Sequence, residues 1–210
     1  MQRLNNNTEI KDLIAEKKLL RGLQKKAALR KIPIIDISIG RILELICILI
    51  RPKKILEIGC GNGFSSYFLI KNLAGGSYTG IDLNKERIKE AEKFISCKLP
   101  GKNFRFKAGN ALKLIPDIEE RFDLVFIDGA KYEYPFYIKA VKVKLNPRAL
   151  VIADNIFYNN KIFKHKISKH DFNSVNGIKE YISYVTSSDS FRNYFFDISD
   201  GISISRFLKK

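Results

Sequence analysis

Two spacings of apolar residues alternate along the chain from Ile55 onward. Short apolar runs, at Ile55 to Ile58, Tyr78 to Ile81, Phe104 to Lys107, Leu124 to Ile127 and Leu150 to Ala153, have the length and bounds of buried strands. Between them, at Phe64 to Leu73, Lys85 to Cys97, a short stretch near Leu112 and Pro135 to Leu145, apolar positions return every three or four places and predict helices. Strands that alternate with helices in this way form a parallel sheet covered on both faces. Two helical patterns come earlier. One is capped by Thr8 and carries Ile10, Leu13, Ile14, Leu20 and Leu23 among many lysines; the other follows Ser38, carries Ile39, Ile42, Leu43, Ile46 and Ile50, and closes at Pro52. Pro33 separates them, and residues 1 to 7 read as frayed. The expected organisation is a helical extension over residues 1–35 and one α/β domain over 36–210.

After Asn155 the rhythm lapses into a basic, aromatic loop with Phe157, Tyr158, Lys161, Lys164, His165, Lys166, Lys169 and His170. A loop this long inside a compact domain is usually functional or disordered. A helix over Val175 to Val185 follows, then strand-like runs at Arg192 to Ile198 and Ile202 to Phe207 that meet at Asp200 and Gly201, a hairpin signal. There is no internal repeat and no low-complexity linker.

Chemistry concentrates where apolar runs stop. In FDLVFIDGAKYEY the run Leu124 to Ile127 ends at Asp128, with Lys131 three places on, and the run Ala149 to Ala153 ends in Asp154 and Asn155. The carboxyl ends of parallel strands are where such sheets bind ligands, so three hard oxygen donors and a lysine converge on one edge. The plain alternative is that each acid or amide caps the helix that follows it. Between the first strand and its helix lies LEIGCGNGFSS, with Glu57 ahead of Gly59, Gly61 and Gly63. Glycines let that turn close tightly against a ligand. A nicotinamide or flavin fingerprint would place a glycine where Phe64 stands, and the third glycine comes one place early. Asp82, ending the second strand, is placed to accept ribose hydroxyls, with helix capping as its alternative.

Composition narrows the classes. Of 210 residues, 45% are hydrophobic, enough for one well-buried domain. The longest apolar candidate for a membrane span, Ile42 to Ile50, is broken by Glu44 and closed by Arg51 and Pro52. The start is Asn-rich and charged, unlike a secretory signal. Cys47, Cys60 and Cys97 are odd in number and widely spaced, which predicts packing residues in a reducing cytoplasm and not a disulfide or zinc framework. Lys and Arg number 38 against 22 Asp and Glu, a net charge of +16. A field of that sign attracts polyanions such as RNA. Compositional bias toward Lys, Asn and Ile across a whole proteome is the other explanation.

Together LEIGCGNGFSS, GIDLN, FIDGAKYEY, ADN and the terminal DGISIS resemble the metal-dependent O-methyltransferases that use S-adenosylmethionine, the family of the catechol and caffeoyl-CoA enzymes, over about Ile32 to Phe207. The resemblance implies a Rossmann-like class I methyltransferase with a seven-stranded, mostly parallel sheet and a C-terminal antiparallel hairpin. It implies a cofactor-binding set of Glu57, Gly59, Gly61, Gly63, Ser65, Asp82, Asn110 and Asp128, with Ser65 on the methionine carboxylate. It also implies a divalent ion, usually magnesium, held by Asp128, Asp154 and Asn155, and Lys131 acting on the substrate hydroxyl. Because lysine is mostly protonated at neutral pH, Lys131 is open to two roles, proton acceptor or stabiliser of the oxyanion. IPIID followed by a glycine-containing helix is most similar to the bacterial tRNA 5-hydroxyuridine methyltransferases. tRNA is therefore the expected partner, a homodimer is plausible through the N-terminal helices, and Tyr132, Tyr134 and Tyr158 are candidates to stack on a base. Two departures stand out: Asn110 replaces the usual aspartate in Gly-Asp-Ala, and Asn159 and Asn160 stand where relatives often have glycine. The same chemistry on a small catechol-like diol, and a non-catalytic RNA-binding protein, are the competing classes.

Overall fold

The computed structural model describes residues 6–30 and 32–208, with side chains described from Glu16 onward except at residue 26. It divides into two units, residues 1–34 and 35–210. The first holds α1 (Asn6–Leu29), which begins ahead of Thr8, so Thr8 lies within the helix and does not start it. Lys17, Lys18, Arg21 and Lys25 are exposed on it, and Arg30 is exposed in the turn just after it. Lys31 and the side chains of Ile10, Leu13, Ile14 and Lys26 lie outside the described residues, as do residues 1–5 of the stretch expected to fray.

In the second unit α2 (Ile37–Ile50) is capped by Asp36, not by Ser38: the Asp36 carboxylate accepts the Ser38 amide at 2.8 Å and the Ser38 hydroxyl at 2.6 Å. The helix ends at Arg51, left-handed at φ 49°, whose N–H reaches the Cys47 carbonyl. There follow β1 (Lys54–Ile58), α3 (Phe64–Lys71), β2 (Ser77–Asp82), α4 (Lys85–Lys98), β3 (Phe104–Ala108) and α5 (Ala111–Leu114). The second half holds β4 (Phe122–Ile127), α6 (Tyr134–Lys142), β5 (Leu145–Asp154), α7 (Lys169–Ser187), β6 (Phe191–Phe196) and β7 (Ile202–Phe207). The strands make one sheet of order β3-β2-β1-β4-β5-β7-β6. β1 to β5 pair in parallel, and β7 pairs antiparallel with β5 and β6. The alternating pattern predicts the parallel part of this sheet, and the full mostly parallel, seven-stranded Rossmann-like arrangement with its terminal hairpin is the one the family resemblance implies.

Four elements differ from expectation. α6 stops at Lys142, and β5 runs from Leu145, five residues earlier than the apolar run suggests. Its added part contains Asn146, Pro147 and Arg148 (φ 65°), and it bulges: Phe122 pairs with Leu145 while Leu124 pairs with Leu150. α7 starts at Lys169, inside the expected loop, because Ser168 caps it through the Asp171 amide (3.1 Å) and donates to the Asp171 carboxylate (2.7 Å). The hairpin connection is five residues long, 197–201, since β6 ends at Phe196.

The sheet is buried on both sides. On one face Leu56, Ile58, Val125, Ile127 and Val151 pack with Ile138 and Val141 of α6 and Ile178, Tyr181 and Val185 of α7. β6 is an edge strand on which Tyr194, Phe195 and Phe196 are exposed. Cys47 and Cys60 are buried as expected, and burial pushes the Cys47 thiol up to about 12. Cys97 is exposed on α4 and is not a packing residue. Among the described residues, no helix is long and apolar enough to cross a membrane.

The Ser168 cap yields a direct expectation. Ser168→Ala should lower stability to urea by about 1 kcal/mol, as for other lost N-caps. An unchanged midpoint would show that α7 is held by packing alone.

Candidate functional site

Parallel register carries the ends of β1, β4 and β5 to one edge: Ile58 pairs with Ile127, and Ile127 with Ala153. The strand order reverses between β1 and β4, the place where open α/β sheets leave a crevice. The glycine turn fills this point. Gly59 has φ 89°, and a Cβ there would lie 2.3 Å from the Asp128 carbonyl oxygen, so turn and strand end touch backbone to backbone. Only glycine permits both the dihedral and the approach.

Asp82, at the end of β2, accepts the Gly61 amide (2.9 Å) on one oxygen and the Asn84 amide (2.8 Å) on the other. Capping of α4 falls instead to Asn84, which accepts the Glu86 and Arg87 amides at 3.0 Å each. Asp82 therefore braces the glycine turn, with a second lone pair on each oxygen still available to a hydroxyl. Asn110, on the neighbouring strand end, caps α5 by accepting the Leu112 amide (2.8 Å), which leaves its side-chain N–H groups as donors.

Beneath the turn, Glu57 is 0% exposed. Its carboxylate accepts from the hydroxyls of Ser65, Ser66 (2.8 Å) and Tyr78. Both serines belong to the first turn of α3, which has no side-chain cap of its own, so Glu57 ties that helix to β1 and to β2. Burial outweighs these hydrogen bonds and lifts the Glu57 carboxyl to about 7. In this structure Glu57 faces protein hydroxyls and shapes the turn from below. Ser65 is nearly buried, with its hydroxyl committed to Glu57.

Across the turn, Lys131 Nζ donates to Asp128 Oδ1 (2.8 Å) and to the Tyr134 hydroxyl (2.8 Å), while that hydroxyl donates to the Asp154 carbonyl (2.9 Å). The Lys131 side chain is 14% exposed and that of Asp128 20%. Asp154 is nearly buried and accepts the Asn155 amide (2.8 Å). Burial, and next the charge of Asp128, raise its carboxyl to about 7. None of the three expected ligands caps a helix: the 3-10 turns at Lys131–Glu133 and Lys161–Phe163 are preceded by Ala130 and Asn160. The capping alternative therefore falls away.

Three residues outside the sequence-derived set hold this arrangement. Ser66 and Tyr78 complete the shell of Glu57. At Gly177, in α7, a Cβ would lie 2.6 Å from both the Lys131 carbonyl oxygen and Tyr132 Cα, so α7 presses directly on the turn carrying Lys131. A lone glycine inside a helical pattern was the available signal. The aromatic expectation needs correcting: Tyr134 is wholly buried and cannot stack on a base. Tyr158 is half-buried, with its hydroxyl on Asp171 (3.2 Å) and the Lys161 ammonium 4.8 Å from its ring centre. Tyr132 is exposed. The loop after Asn155 is tethered: Asn159 N–H donates to Asp200 (2.6 Å) and Ile156 N–H to the Gly201 carbonyl (3.0 Å). Lys164, His165 and Lys166 stand exposed on it.

Among the described residues no cluster of three or more His, Cys, Asp or Glu is placed to hold a metal. The candidate donors are Asp128, Asp154 and the amide of Asn155, all hard oxygens. Burial first, and the charge of Asp128 second, disfavour the ionised form of Asp154, and a cation beside the pair would offset both. The donor chemistry fits a hard divalent ion.

A glycine turn at the switch point, an acid at the end of β2 and carboxylates beyond β4 and β5 on this strand order define a Rossmann-like methyltransferase fold. The chain belongs to the O-methyltransferase family, whose model matches residues 10–208. It is 27% identical over 128 residues to a catechol O-methyltransferase of Niastella koreensis, a match covering 59% of this chain and 58% of that one. The chain thus spans little more than half the length of that curated relative. The fold is similar to an O-methyltransferase from Bacillus cereus in complex with SAH (TM-score 0.81, 20% identity, 90% of each chain). It is equally similar to the O-methyltransferase TomG of Streptomyces achromogenes in complex with SAM (TM-score 0.82, 19% identity, 90% and 89% of the chains).

The buried carboxyl makes stability depend on pH. Glu57 holds its proton more tightly folded (about 7) than unfolded (about 4.5), so its contribution is fully present below pH 4.5 and declines as pH rises to 7. At ~1.4 kcal/mol per pKa unit the decline is about 3 kcal/mol. Asp154 acts in the same direction. Glu57→Gln should therefore flatten part of the slope in urea titrations between pH 5 and 7; an unaltered slope would mean the carboxyl titrates normally.

Proposed function

We propose that the protein is an S-adenosylmethionine-dependent O-methyltransferase that requires a divalent cation and methylates 5-hydroxyuridine in tRNA. The observation that carries this reading is the convergence of Asp128, Lys131 and Asp154 on the glycine turn, within a chain of the O-methyltransferase family. The glycine turn and Asp82 would hold the cofactor, and Asp128, Asp154 and Asn155 the cation. When bound, the cofactor supplies an electrophilic methyl and the cation supplies charge that lowers the pKa of the acceptor hydroxyl.

The chain's own part is positioning and electrostatics. Lys131 already spends two N–H groups, on Asp128 and on Tyr134, and keeps a third for an incoming oxygen. It thus serves as a donor to the developing oxyanion. Tyr134 fixes it from below by tying its own hydroxyl to the Asp154 carbonyl, and Gly177 lets α7 seat the whole turn.

Support for an RNA acceptor is the net charge of +16, with exposed Lys164, His165 and Lys166 on the loop that follows the candidate donors. The catechol O-methyltransferase relative favours a second reading, the same transfer to a small vicinal diol.

Methyl incorporation from labelled cofactor into tRNA containing 5-hydroxyuridine, tRNA lacking it and a catechol separates the two. We expect transfer to the hydroxylated tRNA alone, abolished by chelation. Transfer to the catechol alone, without salt-sensitive tRNA binding, would establish the small-molecule reading. Lys131→Ala should lower turnover more than a hundredfold with cofactor affinity nearly unchanged. Asp82→Ala should weaken cofactor binding by about 1 to 3 kcal/mol in calorimetry.

A further inference from the structure

At the opposite edge of the sheet from Asp128 and Asp154, a cleft of about 560 Å³ is lined by Arg51, Lys53, Arg148 and Arg206, with Pro52, Pro147 and Leu150 among its apolar walls. Along β5 it lies about 20 Å from Asp154, six residues at ~3.3 Å each.

Its frame is built around one acid. Asp123 accepts the amides of Lys53 (2.8 Å) and Lys54 (2.9 Å) on one oxygen and the Asn146 side chain (2.7 Å) on the other. That carboxylate fastens together the segment after α2, the start of β4 and the bulge of β5, and is spent on amides. Among the described residues, Arg51, Arg148 and Arg206 have no carboxylate partner, although each lines the same cleft. A fourth arginine, Arg192, sits directly across the strand pair from Arg206, a like-charge juxtaposition that costs stability.

The backbone under two of these arginines is the second observation. Arg51 closes α2 in the left-handed conformation, and Arg148 is left-handed in the β5 bulge. Both are places where glycine is the low-strain choice. The bulge re-aims the chain at Arg148. Guanidinium groups held without partners on a frame that bears strain to present them are suited to bidentate recognition of phosphate.

We propose that this cleft is a phosphate-binding site, filled by the backbone of an RNA or by a free nucleoside polyphosphate. It stands apart from the methyl-transfer reading and does not depend on it.

The left-handed positions provide a test that does not jeopardise folding. Arg51→Gly with Arg148→Gly removes two charges while relieving strain, and its melting temperature should equal or exceed that of the wild type. Arg206→Gln is then added. Binding of bulk tRNA and of ATP is measured across a salt series, with cofactor affinity as the control. For the triple variant we expect at least a tenfold loss of affinity for one of the two ligands at low salt, with cofactor affinity unchanged. If the ligand is RNA, the slope of log affinity against log salt should fall by about 0.7 to 0.9 for each lost phosphate contact. Loss of tRNA binding alone identifies the RNA backbone as the occupant, and loss of ATP binding alone identifies the free polyphosphate. If the triple variant, folded and cofactor-competent, binds both ligands as the wild type does, or if neither ligand binds the wild type, the proposal is overturned.

Discussion

A carboxylate taken out of water costs several kcal/mol unless its lone pairs are met, and Glu57 is taken out completely. Its compensation comes from Ser65 and Ser66 on α3 and from Tyr78 on β2, so folding the acid into the sheet requires both neighbours to be in place. The glycine turn spans the gap between Glu57 and those serines. It inherits its course from them, and Gly59 can then meet the Asp128 backbone closely enough to bring the two halves of the crevice together. The glycine turn and the acidic end of the crevice are therefore a single mechanical unit.

The lysine is held by a different principle. Lys131 lies in a 3-10 turn, a conformation with little stability of its own, yet its ammonium is fixed from two sides. Rigidity is lent by Tyr134, buried in the core, and by α7, which packs against the turn at Gly177 because no side chain stands there. A charged group on a short turn thus borrows its order from the larger elements behind it.

Much of this was legible because parallel strands buried on both faces read as unbroken apolar runs. The ends of those runs marked Asp82, Asp128 and Asp154 directly. What escaped did so where the local code was ambiguous or the contact was distant. Asn146, Pro147 and Arg148 disguised the first half of β5, since proline and a left-handed residue argue against a strand. Asp36 and Ser38 both qualify as caps, and the aspartate prevails because one carboxylate satisfies both the amide and the hydroxyl of the serine. The pairing of Glu57 with Tyr78 joins residues 21 positions apart, and that of α7 with Lys131 spans more than forty, so neither leaves a local pattern. The run YEYPFY does not reveal which tyrosine faces inward, and only the structure separates buried Tyr134 from exposed Tyr132.

The exposed edge strand β6, with Tyr194, Phe195 and Phe196 uncovered, bears on the protein's behaviour in solution. Such an edge offers unpaired backbone groups and apolar rings to any second edge that approaches, which is the geometry of intermolecular sheet growth. A net charge of +16 opposes that approach through mutual repulsion. Repulsion of this kind reaches about 10 Å at 0.1 M salt and about 3 Å at 1 M. Colloidal stability is therefore greatest in dilute salt, and concentrated salt leaves the hairpin's edge the stickiest part of the molecule.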